Sequence, residues 1–155
     1  MSFLEHLLAY TPHRLPRALL VEHHTHRRLA LIERMRDRFA IEGVPVGLDP
    51  LRTIRARQPE LVIIVVYPLR PNRAWDVCRW LKTDVRPIRA VGVVNFYGPA
   101  RSQDRALEAD RADGYYEGPE DLDAVRAFTV AVWEGRRPVD IRPRPGRFWK
   151  GIFGR

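Results

Sequence analysis

The residues Pro59-Glu60-Leu61-Val62-Ile63-Ile64-Val65-Val66-Tyr67-Pro68 constrain this chain more than any other stretch. Six consecutive aliphatic side chains, most of them β-branched, lie between two prolines with no polar–apolar alternation. A strand with one face in water alternates, whereas a short unbroken apolar run reads as a strand buried on both faces. The run is too short for a helix, and β-branched side chains favour the pleated strand. It predicts the central strand of a parallel sheet with helices above and below. In such sheets ligands and chemistry sit beyond the carboxyl ends of the strands. Here that end reads Val65-Val66-Tyr67-Pro68-Leu69, with no ionisable group of catalytic type.

Strand and helix signals alternate along the rest of the chain. Residues 2–10 put Phe3, Leu4, Leu7 and Leu8 at helical spacing, so residues 1–16 form an amphipathic segment that packs on its own domain or docks to a partner. Ala18-Leu19-Leu20-Val21 is an apolar run ending in Glu22-His23-His24-Thr25. A helix is expected from His24 or Thr25 to about Ile41, with Leu29, Ile32, Met35 and Phe39 inward and Arg27, Arg28, Arg34 and Arg36 elsewhere; Glu42-Gly43 stops it. Val44-Pro45-Val46-Gly47 suits an edge strand. Asp49 caps a helix that has Pro50 at its first position and Leu51 and Ile54 inward. A helix over 73–82 spaces Trp75, Cys78 and Leu81 towards the core, followed by a strand from Ile88 to Val94. A polar helix over 101–111, a brief strand at Tyr115-Tyr116 and a last helix from Glu120 to Trp133 complete the series. Strand then helix, five times over with short connections, predicts a doubly wound, five-stranded parallel sheet with helices on both faces, a (βα)5 three-layer sandwich over residues 17–135.

Charge separates the remainder. The chain of 155 residues carries a formal +8. From Arg136 to Arg155 seven basic residues face one Asp, and residues 1–135 hold twenty basic against eighteen acidic groups. The body is nearly neutral, and the excess belongs to a basic tail rich in proline and aromatics over 136–155. Its prolines keep the first part extended. Its end sets Phe148, Trp149, Ile152 and Phe153 among Arg144, Arg147, Lys150 and Arg155, a mixture able to dock in a protein groove, lie on an anionic membrane or stack on nucleic acid, in that order of expectation. One cysteine, Cys78, excludes an internal disulfide framework and fits a reducing cytoplasm. The start Met1-Ser2-Phe3-Leu4-Glu5-His6 lacks the features of a secretion signal, and no apolar run approaches membrane-spanning length, so a cytoplasmic location is expected.

Three segments carry a family likeness: Arg57-Gln58-Pro59-Glu60-Leu61-Val62-Ile63-Ile64, Trp75-Asp76-Val77-Cys78-Arg79-Trp80-Leu81-Lys82, and Ala109-Asp110-Arg111-Ala112-Asp113-Gly114-Tyr115-Tyr116-Glu117-Gly118-Pro119. In their order and spacing they resemble the third strand, the helix after it and the fifth-strand turn of the CheY-like receiver domain of bacterial response regulators. That family phosphorylates an aspartate at the end of its third strand, with two acidic residues holding Mg²⁺, a Ser/Thr ending the fourth strand and a Lys before a proline after the fifth. By this resemblance the acceptor position is Val65, the acidic pair is Glu22 and His23, the hydroxyl position is Asn95 and the lysine position is Gly118. No Asp occurs from Leu61 to Leu69. Valine offers no lone pair to a phosphoryl group, one Glu beside a His is a poor start for Mg²⁺, and glycine supplies no cation to the developing charge. The resemblance therefore implies a degenerate pseudo-receiver. Tyr115 falls at the family's switch-aromatic position and reads equally well as an ordinary strand tyrosine.

Other constellations carry less. His23-His24-Thr25-His26 beside Glu22 contains imidazoles but no second ligand cluster, and reads as a polar loop with a helix cap. There is no G-x-S-x-G, P-loop, G-x-G-x-x-G after a strand or C-x-x-C, and Cys78 belongs to the core, so no enzyme, cofactor or small-molecule substrate is expected. Trp80 sits where the resembled helix carries a charge, and either forms an interface or covers a neighbouring loop. The expected role is a protein–protein interaction or scaffold module in a bacterial signalling, motility or polarity assembly, with a homodimer possible. Trp80, Tyr116, Arg144, Arg147, Phe148, Trp149, Lys150, Ile152 and Phe153 are the candidate contacts. The alternative is a small basic adaptor whose tail binds an anionic membrane or nucleic acid.

Overall fold

The computed structural model of the protein describes residues 14–45, 49–70, 72–84, 88–98, 112–135 and 137–142. Six parallel strands form one sheet: β1 (Arg17–Val21), β2 (Ala40–Val44), β3 (Leu61–Val65), β4 (Ala90–Asn95), β5 (Gly114–Glu117) and β6 (Val139–Ile141), in the order β2-β1-β3-β4-β5-β6. Four helices pack on it: α1 (Thr25–Met35), α2 (Pro50–Arg57), α3 (Asn72–Thr83) and α4 (Leu122–Glu134). The expected α/β parallel sandwich is present, with β3 central and every residue of it buried.

The unbroken apolar run of β3 is explained by cover on both sides. Val62, Ile64 and Val66 meet Ile54 of α2 and Trp75, Cys78 and Leu81 of α3. Leu61, Ile63 and Val65 meet Leu31 and Met35 of α1 and Phe128 of α4. Each such aliphatic side chain, removed from water, contributes roughly 1.5–3 kcal/mol. Helix ends follow local chemistry: the Asp49 carboxylate accepts from the Leu51 amide at 3.2 Å, and Asp121 Oδ1 accepts from the amides of Asp123 and Ala124 at 3.0 and 3.1 Å. Gly114 has a packing reason, because a Cβ there would stand 2.9 Å from Phe128 Cε2 and closer still to Val132 Cγ2. Its lack of a side chain lets α4 lie against the sheet.

Four expectations are corrected. The sheet has six strands rather than five, because Val139–Ile141 pairs with Gly114–Tyr116 and draws residues 137–142 out of the expected tail into the domain. The helix expected to reach Ile41 ends at Met35; Arg36–Arg38 turn the chain, and Ala40 begins β2 by donating to Pro16 O at 2.9 Å. Pairing with β1 along Arg17↔Ala40 to Val21↔Val44 outweighs continuation of the helix, and Gly43 lies within that edge strand instead of stopping a helix. The inner face of α1 is also rotated: Leu29 is 58% exposed, while Arg27, Leu31 and Met35 are buried. The first 13 residues and the segments expected at 101–111 and 143–155 lie outside the described residues. Among the described residues no helix is long and apolar enough to cross a membrane.

Candidate functional site

The carboxyl ends of the strands come together along one edge. β1 runs into Glu22, β3 ends at Val65, β4 at Asn95 followed by Phe96 and Tyr97, and β5 at Glu117 followed by Gly118. Register sets them side by side: Val21 pairs with Ile64, Val65 with Val94, and Asn95 with Glu117. Val65 is buried in the α1–α4 core with Leu20, Phe96 and Tyr116, and offers the edge only hydrocarbon.

Glu22 is 1% exposed and fully engaged. Its Oε1 accepts from Arg27 Nη2 at 3.0 Å and from the His24 amide at 2.9 Å, and its Oε2 accepts from Arg27 Nε at 3.0 Å. The same guanidinium donates to Tyr97 Oη at 2.8 Å and to Glu120 Oε2 at 3.3 Å, and lies 4.8 Å above the Phe96 ring. Burial disfavours the charge on Arg27, but the hydrogen bonds and negative charge of Glu22, with Tyr97, outweigh it and hold the guanidinium above its ordinary pKa. A forked guanidinium on a carboxylate is the geometry this pair of residues makes best.

The sequence reading set Arg27 apart from the inner face of its helix, so the residue that fills the site was missed. The signal was present: Arg27, Leu31 and Met35 recur at four-residue spacing and form the stripe that is buried. His23, at the second acidic position, does not join Glu22. It is exposed and stacks on Tyr67, ring centroids 4.2 Å apart. Among the described residues no three His, Cys, Asp or Glu side chains are grouped to hold a metal ion. The Mg²⁺ implied by the receiver resemblance does not fit the residues present. Both oxygens of Glu22 already accept from Arg27, Oε1 also from the His24 amide, and the Val65 side chain beside it carries no oxygen.

Asn95 and Tyr115 form a second buried pair. Asn95 Nδ2 donates to Tyr115 Oη at 3.1 Å and to Gly98 O at 2.6 Å, and its Oδ1 accepts from the Tyr97 amide at 2.9 Å. Tyr115 is wholly buried, with its ring 5.4 Å from that of Trp75, and the Arg142 guanidinium, just after β6, lies 5.2 Å from the ring centroid. Burial raises the phenol pKa, which the Asn95 hydrogen bond partly opposes. Glu117, 5% exposed, is likewise raised by burial and drawn back by the charge of Arg142. Gly118 donates its amide to Asn95 O at 3.2 Å and brings no charge to the edge.

Of the candidate contact residues, Trp80 stands on the surface at 51% exposure, with the Arg55 guanidinium 5.0 Å over its ring. Tyr116 does not. It is 2% exposed, packs between Phe96 and Phe128, and donates its hydroxyl to Pro119 O at 2.8 Å. A parallel strand covered on both faces buries both members of a Tyr-Tyr pair. Arg144, Arg147, Phe148, Trp149, Lys150, Ile152 and Phe153 lie outside the described residues.

No family model matches this sequence, and no curated protein does. Solved structures match its architecture. The signal receiver domain of the response regulator NarL from Mycobacterium tuberculosis superposes with a TM-score of 0.64 at 14% identity, covering 79% of this chain and 99% of that one. The receiver domain of a histidine kinase from Syntrophus aciditrophicus gives 0.63 at 22% identity, covering 78% and 92%. A beryllofluoride-activated DrrB receiver domain gives 0.60 at 15%, covering 78% and 99%. The fold is that of a receiver domain. On this receiver fold the strand-end edge holds a valine and an internal ion pair where the resemblance implies an acceptor and a metal.

Proposed function

We propose that this chain is a receiver-like module that does not accept a phosphoryl group and acts by binding a protein partner in a bacterial signalling, motility or polarity assembly. The observation that carries this reading is the content of the strand-end edge: Val65 is 2% exposed and apolar, and both oxygens of Glu22 are taken by Arg27. With a hydrocarbon at the acceptor position and both Glu22 oxygens engaged by Arg27, the edge lacks the aspartate and the metal seat that aspartyl phosphorylation requires. The module is not an enzyme, and what remains for it to offer is surface. Trp80 supports that part of the reading, since it is a half-exposed tryptophan with a guanidinium 5.0 Å over its ring, and tryptophan is enriched among interface anchors.

Capture of partners on the full chain, followed by titration of the purified partner, tests it. Trp80→Ala is expected to weaken binding at least about tenfold, in the range of an interface anchor. Truncation after Arg142 is expected to leave the affinity unchanged. Loss of binding on truncation with full retention in Trp80→Ala would replace this reading with one centred on the basic segment 143–155.

A further inference from the structure

Arg27 is the only buried cation among the described residues. It draws together segments that are far apart in sequence. Glu22 lies at the end of β1, Phe96 and Tyr97 follow β4, and Glu120 lies between β5 and α4. A divalent ion at the ends of parallel strands would do the same work, placing positive charge between a carboxylate and the oxygens of neighbouring loops. The two compete for Glu22, because the guanidinium takes Oε2 and Oε1 at 3.0 Å each and the His24 amide takes Oε1 as well, so an ion seated on both oxygens would have to displace Arg27.

We infer that Arg27 is a built-in cation: it stands in for a divalent ion at Glu22 and excludes one, so the edge stays closed to Mg²⁺ even when a carboxylate is supplied beside it. The inference rests on the reading of a module that takes no phosphoryl group and adds the cause that a change at Val65 alone cannot undo. Val65 is the place to supply that carboxylate. It follows Ile64, the register partner of Val21, so it stands level with Glu22, and it packs on the same sheet face as Leu20. With Arg27 kept, an aspartate there gains a cation already in place. With Arg27 removed, two carboxylates on adjacent strands face each other and repel until a divalent ion joins them.

The test compares wild type, Val65→Asp and Val65→Asp/Arg27→Ala by thermal unfolding in millimolar Mg²⁺ against NaCl of equal ionic strength. Mg²⁺ is expected to raise the melting temperature of the double variant by about 3 °C or more and to leave Val65→Asp and wild type unmoved. An equal rise in Val65→Asp and the double variant overturns the inference, and so does no rise in the double variant. If the aspartate prevents folding, Arg27→Ala alone decides. Paramagnetic Mn²⁺ should then broaden the amide signals of residues 22–24 and 96–98 in Arg27→Ala and spare them in wild type; equal broadening, or none in the variant, overturns it. Wild type that itself takes up Mg²⁺ with beryllofluoride would sink the proposed function, while the comparison of the two Val65→Asp proteins would still decide the part played by Arg27.

Discussion

Replacing Arg27 by alanine leaves Glu22 in a site where it is 1% exposed, with two of its three donors removed and no counter-charge within the ion pair. Breaking a buried pair from one side costs about 3–5 kcal/mol, because the surviving charge keeps its desolvation penalty and loses its compensation. Against a typical domain stability of about 5–15 kcal/mol, that is at least about a fifth of the total. In a chain of this size it corresponds to a fall in melting temperature of about 6–20 °C. An internal control is at hand in Arg36 and Glu33, which form an ion pair at 2.9 Å with both side chains about two-thirds or more exposed. Arg36→Ala is expected to leave the unfolding midpoint almost where it was, because a solvent-exposed pair is screened. Urea unfolding of Arg27→Ala, Glu22→Gln and the double variant closes a thermodynamic cycle, and a coupling energy of about 2 kcal/mol or more is expected. The reasoning fails if Arg27→Ala costs as little as Arg36→Ala, or if the cycle shows the two residues to be additive.

Two other substitutions probe the frame around the edge. Gly114→Ala drives a methyl group into Phe128 and Val132, so it should destabilise the domain by about 1–3 kcal/mol, read as a lower urea midpoint with an unchanged slope. Glu117 has a folded pKa raised above its ordinary 4.5, so the folded state holds the proton more tightly and the group costs stability as pH rises through and above that value. Glu117→Gln should therefore flatten the loss of stability between acid and neutral pH in a series of urea titrations. A Gln variant with the same pH slope as wild type would show that the buried carboxyl is not its source.

The parts of the fold that are legible in the sequence are those where one physical rule acts alone. The β3 run had to be covered on both faces, the Trp75-Cys78-Leu81 stripe had to point inward, and Asp49-Pro50 had to start a helix; the structure has all three. The misses occur where two rules compete. Residues 36–41 continue a helical apolar pattern, yet pairing with β1 claims Ala40 and Ile41 for the edge. β6 is three residues long and set among prolines and arginines, too short to show a period, and exists because β5 leaves an open ladder beside it. Sequence alone sets Arg27 off the inner face because a charged side chain is rarely buried unless paired, and its partner is reached only when the strand-to-helix turn folds Glu22 back over α1. At the candidate site the valine and the glycine were legible as missing chemistry. The ion pair that fills the gap was not.

The central claim is that the strand-end edge cannot hold a phosphoryl group, and intact-mass spectrometry of the full chain tests it most directly. After incubation with acetyl phosphate and Mg²⁺ the mass should be unchanged, and beryllofluoride with Mg²⁺ should leave the melting temperature where it was. A stoichiometric, Mg²⁺-dependent phosphoryl adduct on this chain would contradict the account.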